Sequence, residues 1–215
     1  LGADLSEEQK AYIFNFFGTT ADDVQIITIT NTDERERLGD YMPIEQIGTR
    51  TYSCAYVQPT FEGGIQVMTA NMNYVTGNMI SGALSTSGVE NCNVLCAAPF
   101  EVSGTGALTG AMMAYEAASG ETLSEDKKNL ANKEIVGITT IAKTVGLEQA
   151  TLIDNDIKIA VIRGKLKDRG EIEAAVSNVI EDVHEAYTNA NGTAEVVQQD
   201  DKDFLVELGI EFSQL

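Results

Sequence analysis

The stretch Asn91–Gly120, NCNVLCAAPFEVSGTGALTGAMMAYEAASG, decides how the rest of the chain is read. Cys92 to Ala98 is a short apolar run closed by Pro99, the pattern of a strand buried on both faces. Alternation places Val94, Cys96 and Ala98 on one face and Leu95 and Ala97 on the other. Ser103 then stands where it can cap a helix whose first residues are Gly104, Thr105 and Gly106. Leu108, Ala111, Met112 and Tyr115 recur at helical spacing as a core-facing stripe. Gly106, Gly110 and Ala114 form a second stripe, four residues apart. Each glycine costs about 1 kcal/mol of helix propensity, so either tight packing or a ligand at the helix start must offset it.

A helix start offers free N–H donors and a positive dipole end to an anion. Three features weaken that reading. The spacing Gly104-x-Gly106-x-x-x-Gly110 matches a dinucleotide fingerprint only loosely, the Walker lysine is missing, and no Lys or Arg occurs between Thr51 and Asp126. Packing is therefore the leading reading. If an anion does bind, Arg50 is the last cation before the cation-free stretch. Arg50, Ser103, Gly104, Thr105 and Gly106 then form the candidate ligand-binding set of a small-anion receptor or enzyme. A carboxylate pairing structurally with Arg50 is the simpler account of that side chain.

Working upstream, Ser6-Glu-Glu-Gln9 has the form of a capping box opening a helix that Gly18 ends. Val24–Thr30 alternates β-branched residues and predicts a first strand, followed by a short helix from Asn31 to Leu38. Thr51–Gln58 and Ile65–Asn71 predict two further strands, joined as a hairpin through Pro59–Gly64. Thr76 caps a helix with Val75 and Ile80 placed as a hydrophobic staple. One helix followed by β-α-β-β-α-β-α predicts an α+β fold, a four-stranded sheet of ferredoxin-like order. A helical C-terminal region follows, the boundary being drawn at Gly120: residues 1–120 form the sheet domain and 121–215 the helical region.

In the helical region, Ile135, Ile138, Ala142 and Val145 form one stripe and Ile153, Ile157, Ala160 and Val161 another. Ile172, Ala175, Val176, Val179, Ile180, Val183 and Tyr187 form a third, and antiparallel helices are expected. Asn189–Asp201 reads as a polar connection, and Phe204–Leu208 as a short docking helix.

Several segments together resemble a family of secreted proteins of Gram-positive bacteria, domain of unknown function 1002. They are Thr28-Ile-Thr-Asn31 with Glu34-Arg-Glu-Arg-Leu-Gly39, and Ile47-Gly-Thr-Arg-Thr-Tyr-Ser53 with Ala55-Tyr-Val57. Ala97-Ala-Pro-Phe-Glu-Val-Ser-Gly104 follows, with Ala107-Leu-Thr-Gly110 and Ala114-Tyr-Glu116. The resemblance covers about the first 120 residues and implies export to an envelope or extracellular setting. It implies no activity and no catalytic residue, and the three cysteines lie outside these segments.

The 215 residues carry a net charge of −19. That balance argues against nucleic acid and anionic membranes, which need basic patches. No apolar run is long enough for a membrane-spanning helix. The start at Leu1-Gly-Ala-Asp4, without Met, is expected to reflect a removed signal peptide or a trimmed chain. Cys92 and Cys96 share a strand face roughly 13 Å apart by strand rise and cannot bridge each other there. Cys54 could meet either one, and three buried free thiols are the default reading.

His184 is the only histidine. It reads as a helix-boundary residue rather than a catalytic base, and no G-x-S-x-G elbow accompanies it. Asp154 and Asp156 resemble the start of a calcium loop, but Lys158 and Ile159 break the pattern, so they read as solvated acids. Glu34–Arg37 reads as a solvated, mixed-charge helix face. No metal and no cofactor is expected. The function expected is a non-catalytic envelope or extracellular protein that binds a partner or assembles with itself as a homo-oligomer.

Overall fold

Strand pairing in the computed structural model, which describes residues 1–215, turns on Cys92–Val102. The elements in chain order are α1 (Glu7–Phe17), α2 (Asn31–Leu38), α3 (Ile44–Ile47), β1 (Cys54–Pro59), β2 (Ile65–Met72), α4 (Gly77–Thr86), β3 (Cys92–Val102), α5 (Thr105–Ser119), α6 (Glu125–Val145), α7 (Leu147–Gly164), α8 (Arg169–Asn191) and α9 (Gln199–Phe212). They fall into two compact units, Leu1–Lys128 and Asn129–Leu215. β3 lies between the other strands. It runs antiparallel to β1, with Cys54 opposite Ala97, and parallel to β2, with Ile65 opposite Cys92. The expected four-stranded, ferredoxin-like sheet is thus corrected to a three-stranded mixed sheet, β1-β3-β2, in an α+β fold.

Two features cause the difference. First, β1 and β2 do not form a hairpin, because the turn between them crosses a gap that β3 fills. Asn91, just ahead of β3, holds that turn: its carbonyl accepts from the Thr60 N–H at 3.2 Å and its side-chain oxygen from the Gly64 N–H at 2.9 Å. Second, Val24–Thr30 forms no strand, and only Ile29 makes an isolated bridge, to Gly2. Strand propensity is expressed only where a neighbour pairs with it. Residues 1–4 supply that neighbour at one end only. The Ile29 N–H donates to the Leu1 carbonyl at 2.8 Å and the Ala3 N–H to the Ile29 carbonyl at 2.9 Å.

β3 runs through Pro99, where the apolar run had suggested an end. Pairing with β1 stops at Ala97, and the register with β2 breaks between Ala70 and Met72, so the ladder requires no N–H from Pro99. At the break Asn71 takes a left-handed φ of 58°, and its side-chain amide donates to the Ala98 carbonyl at 2.8 Å. A side chain replaces the missing rung.

Strand alternation assigns the two faces of the sheet. Helix α1 covers the face bearing Cys54, Leu95 and Ala97, with Ile13 and Phe17 in that cluster and Phe17 stacked on Tyr56 at 5.9 Å. Helices α4 and α5 cover the face bearing Ala55, Val94 and Cys96. Val75 and Ile80 are both fully buried beside the Thr76 cap, as the staple pattern expects. All three cysteines are buried and free. Burial pushes the Cys92 thiol up to about 11 and raises Cys54 and Cys96 as well, leaving the thiols protonated and unreactive near neutral pH.

In the unit Asn129–Leu215, α7, α8 and α9 pack on one another. The final helix is longer than the docking segment expected. It spans 14 residues and buries Leu205, Val206, Leu208 and Phe212. Two glycines allow its close approach: a Cβ on Gly137 would come within 2.6 Å of the Phe204 ring, and one on Gly209 within 2.9 Å of Ile172.

The second stripe of α5 packs as tightly. A Cβ on Gly106 would lie 2.5 Å from Thr51 Cγ2 and 3.0 Å from Ser53 Oγ, and one on Gly110 would lie 3.3 Å from Ile29 Cγ1. Helix propensity alone would make Gly106→Ala stabilising by about 1 kcal/mol. Overpacking reverses the sign. We expect a loss of about 1–3 kcal/mol, read as a lower urea midpoint at unchanged m-value.

Candidate functional site

Helix α5 begins in a buried setting. Its N-cap is Gly104, at φ 93°, which has no side chain to cap with. The expected cap, Ser103, instead has its hydroxyl 3.2 Å from that of Thr105. The capping oxygen comes from far away in sequence: the Ala107 N–H donates to Ser53 Oγ at 2.8 Å. Beside it lies the carboxyl of Glu34, from α2, only 1% exposed. Glu34 accepts hydrogen bonds from the Thr51 and Thr105 hydroxyls, and its Oε1 would be 3.5 Å from a Cβ on Gly106. The helix start therefore already has an acid side chain of the chain itself beside it, where the dipole favours negative charge.

Arg50 does not hydrogen-bond into this arrangement. Its Nη1 donates to the Tyr52 hydroxyl at 3.0 Å, and Asp4 is the carboxylate whose charge acts on it. Asp4 also accepts the Thr51 N–H at 2.8 Å. The five candidate residues are thus split. Ser103, Gly104, Thr105 and Gly106 meet at the helix start, while Arg50 is fully exposed beside Tyr52.

Glu34, Thr51 and Ser53 are the residues missed at this site. The run Glu34–Arg37 was expected to be a solvated face, yet Glu34 is buried because it shares a helix face with Leu38, four residues on and 1% exposed. That spacing was the available signal. Burial lifts the Glu34 carboxyl above the usual glutamate range, against the opposing pull of the Thr105 and Thr51 hydrogen bonds.

A second ionisable cluster lies in the helical unit. Glu134 of α6 and Lys158 of α7 form a buried ion pair, with the Lys158 Nζ 5.4 Å from the centre of the Phe212 ring. Asp154, one turn before Lys158, is 1% exposed and stands within hydrogen-bonding reach of the Glu134 carboxyl. Burial first, and then the charge of Glu134, hold Asp154 well above the usual carboxylate range, with Lys158 opposing. The expectation of solvated acids fails for Asp154 and holds for Asp156, which is exposed. Asp154 adjoins the Ile153–Ile157–Val161 stripe, so the helix carries it inward. His184 is partly exposed, with Nδ1 3.3 Å from the Glu195 carbonyl.

These two acids set a pH dependence. An acid with a raised pKa keeps its proton in the folded chain at a pH where the unfolded chain has released it. Stability therefore falls as pH rises from about 4 through the folded-state pKa values. We expect Glu34→Gln and Asp154→Asn each to flatten this slope in urea midpoints measured between acid and neutral pH. Lys158→Met, which removes the cation of this buried pair, should cost about 3–5 kcal/mol.

Residues 1–202 match a family described as "Protein of unknown function (DUF1002)". A Bacillus subtilis (strain 168) protein named "Uncharacterized protein YpuA" is 37% identical over 192 residues. The match covers 88% of this chain and 66% of that protein, so the chain spans just under two-thirds of the relative's length. No solved structure matches at a significant level. No helix is long and apolar enough to cross a membrane. With a match over nearly its whole length, this chain belongs to the DUF1002 family.

Proposed function

We propose that the chain is a non-catalytic module of the cell envelope or extracellular space, and that it assembles with a copy of itself through the outer edge of β2. One observation carries this reading. β2 is an outer strand of eight residues, IQVMTANM, with no charged residue and no proline, and its Met68 is 70% exposed. Outer strands that remain single are normally blunted by lysine, proline or a bulge. Here the register is regular from Ile65 to Ala70 and breaks only beyond it. Phe61, in the turn just before, is fully exposed.

A chain carrying −19 repels its own copies over most approaches. An uncharged edge is where two copies meet with least repulsion. A two-fold axis beside β2 would pair it antiparallel with its twin and fill both open ladders. The family resemblance and the acidic balance support an exterior setting, where cations screen the charge. The plugged start of α5 favours this reading over a small-anion receptor.

Light scattering coupled to gel filtration, from micromolar to millimolar protein, tests the proposal. The expected result is a concentration-dependent dimer that Met68→Lys returns to monomer with unchanged circular dichroism. A strict monomer across the range would overturn self-pairing.

A further inference from the structure

A carboxyl and a primary amine touch inside the helical unit. The Glu134 and Lys158 side chains are 1% and 11% exposed, and one Glu134 oxygen is in direct contact with the Lys158 Nζ. They come from different helices, α6 and α7, 24 residues apart in sequence. The surroundings are apolar. Ile153 and Ile157 of α7 are fully buried. Helix α9 closes the site: the Phe212 ring centre lies 5.4 Å from the Lys158 Nζ, and a Cβ on Gly209 would lie 3.7 Å from Ile157 Cγ2.

A third reactive group stands beside this pair. Asp154 is 1% exposed and within hydrogen-bonding reach of the Glu134 carboxyl. Burial, and next the charge of Glu134, raise the Asp154 carboxyl, so it keeps its proton to a higher pH than an ordinary carboxyl. The group therefore holds an amine, a carboxyl that the amine touches, and an acid able to carry protons between them.

In water an ammonium and a carboxylate do not condense, because an amide forfeits the hydration of both charges. In this core that hydration is already lost on folding, so the ion pair is costly where a neutral amide is not. The released water returns to bulk. Packing also holds the two groups in contact, which is equivalent to a concentration on the order of 10⁵ M or more.

We propose that Lys158 and Glu134 condense to an isopeptide bond, joining Nζ to Cδ and releasing one water, with Asp154 as the proton carrier. The ion pair is the reactant state. The ammonium first passes a proton to the Glu134 carboxylate, leaving an amine and a neutral acid. The nitrogen lone pair then forms the N–C bond at Cδ, and the carbonyl π electrons move onto oxygen, which takes the Asp154 proton. The Asp154 carboxylate so formed removes one proton from the nitrogen. One hydroxyl then leaves as water on a proton from Asp154, and the other returns its proton to Asp154 as the C=O bond re-forms. Asp154 ends as it began, and no oxidant, reductant or co-reactant enters. The bond ties α6 to α7 without involving β2, so this inference stands apart from self-pairing.

The test is the intact mass of the purified 215-residue chain, incubated folded at neutral pH and then denatured. The expected mass is about 18 Da, one water, below that of the sequence. Trypsin should leave the chain uncut after Lys158 and yield residues 134–143 and 144–163 as one joined species. Lys158→Arg, which keeps a cation and lacks the attacking amine, should have its full mass. Asp154→Ala should form the bond at least about tenfold more slowly. If that variant does not fold, Asp154→Asn, which keeps the shape and loses the acid, serves instead. A folded wild-type chain at full mass after prolonged incubation would overturn the proposal. So would a loss of water that maps within a single tryptic peptide, or one that persists in Lys158→Arg.

Discussion

Helix α5 and the approach to β1 lie closer together than side chains permit, and much of the first unit follows from that approach. With Gly106 over Thr51 and Ser53, the hydroxyls of a strand lead-in reach the helix start. Ser53 supplies the cap that Gly104 lacks, and Thr51 holds Glu34 in place. The same small-residue stripe, carried on to Gly110 and Ala114, leaves a space beside β1. At the first turn the neighbours come nearest, and at Gly110 a side chain would still meet Ile29 at 3.3 Å and Ala55 at 4.0 Å.

Much of this was legible in the residues. The cysteine-rich strand, the Leu108–Tyr115 stripe, the Ser6 and Thr76 caps and the packing role of the glycines were all readable, because each rests on local periodicity or a short-range hydrogen bond. The sheet order was not. Thr51–Gln58 and Ile65–Asn71 are close in sequence and carry a turn between them, so proximity favours a hairpin. The pairing is decided instead by a strand some twenty residues later that fits between them. Val24–Thr30 has the composition of a strand, but composition does not reveal whether a partner edge is available.

The candidate site was half readable for a related reason. Glycines at a helix start show that something comes close and do not say what. Glu34 and Asp154 were misread because charge was weighed ahead of position. Each lies on the inward arc of its helix, four residues from Leu38 and from Lys158 respectively. Inward acids of this kind are retained with raised pKa values rather than left in water.

The central place of β3 has a consequence for synthesis. No two strands of this sheet touch except through Cys92–Val102, the last of them to be made. A chain emerging amino end first therefore carries two unpaired, largely uncharged β segments until that point. Between Met72 and Cys92 it has only helix α4 to hold, and the sheet then forms in one event, from contacts distant in sequence. Such a nascent chain has no sheet until Cys92–Val102 has emerged, and both outer strands wait unpaired for it.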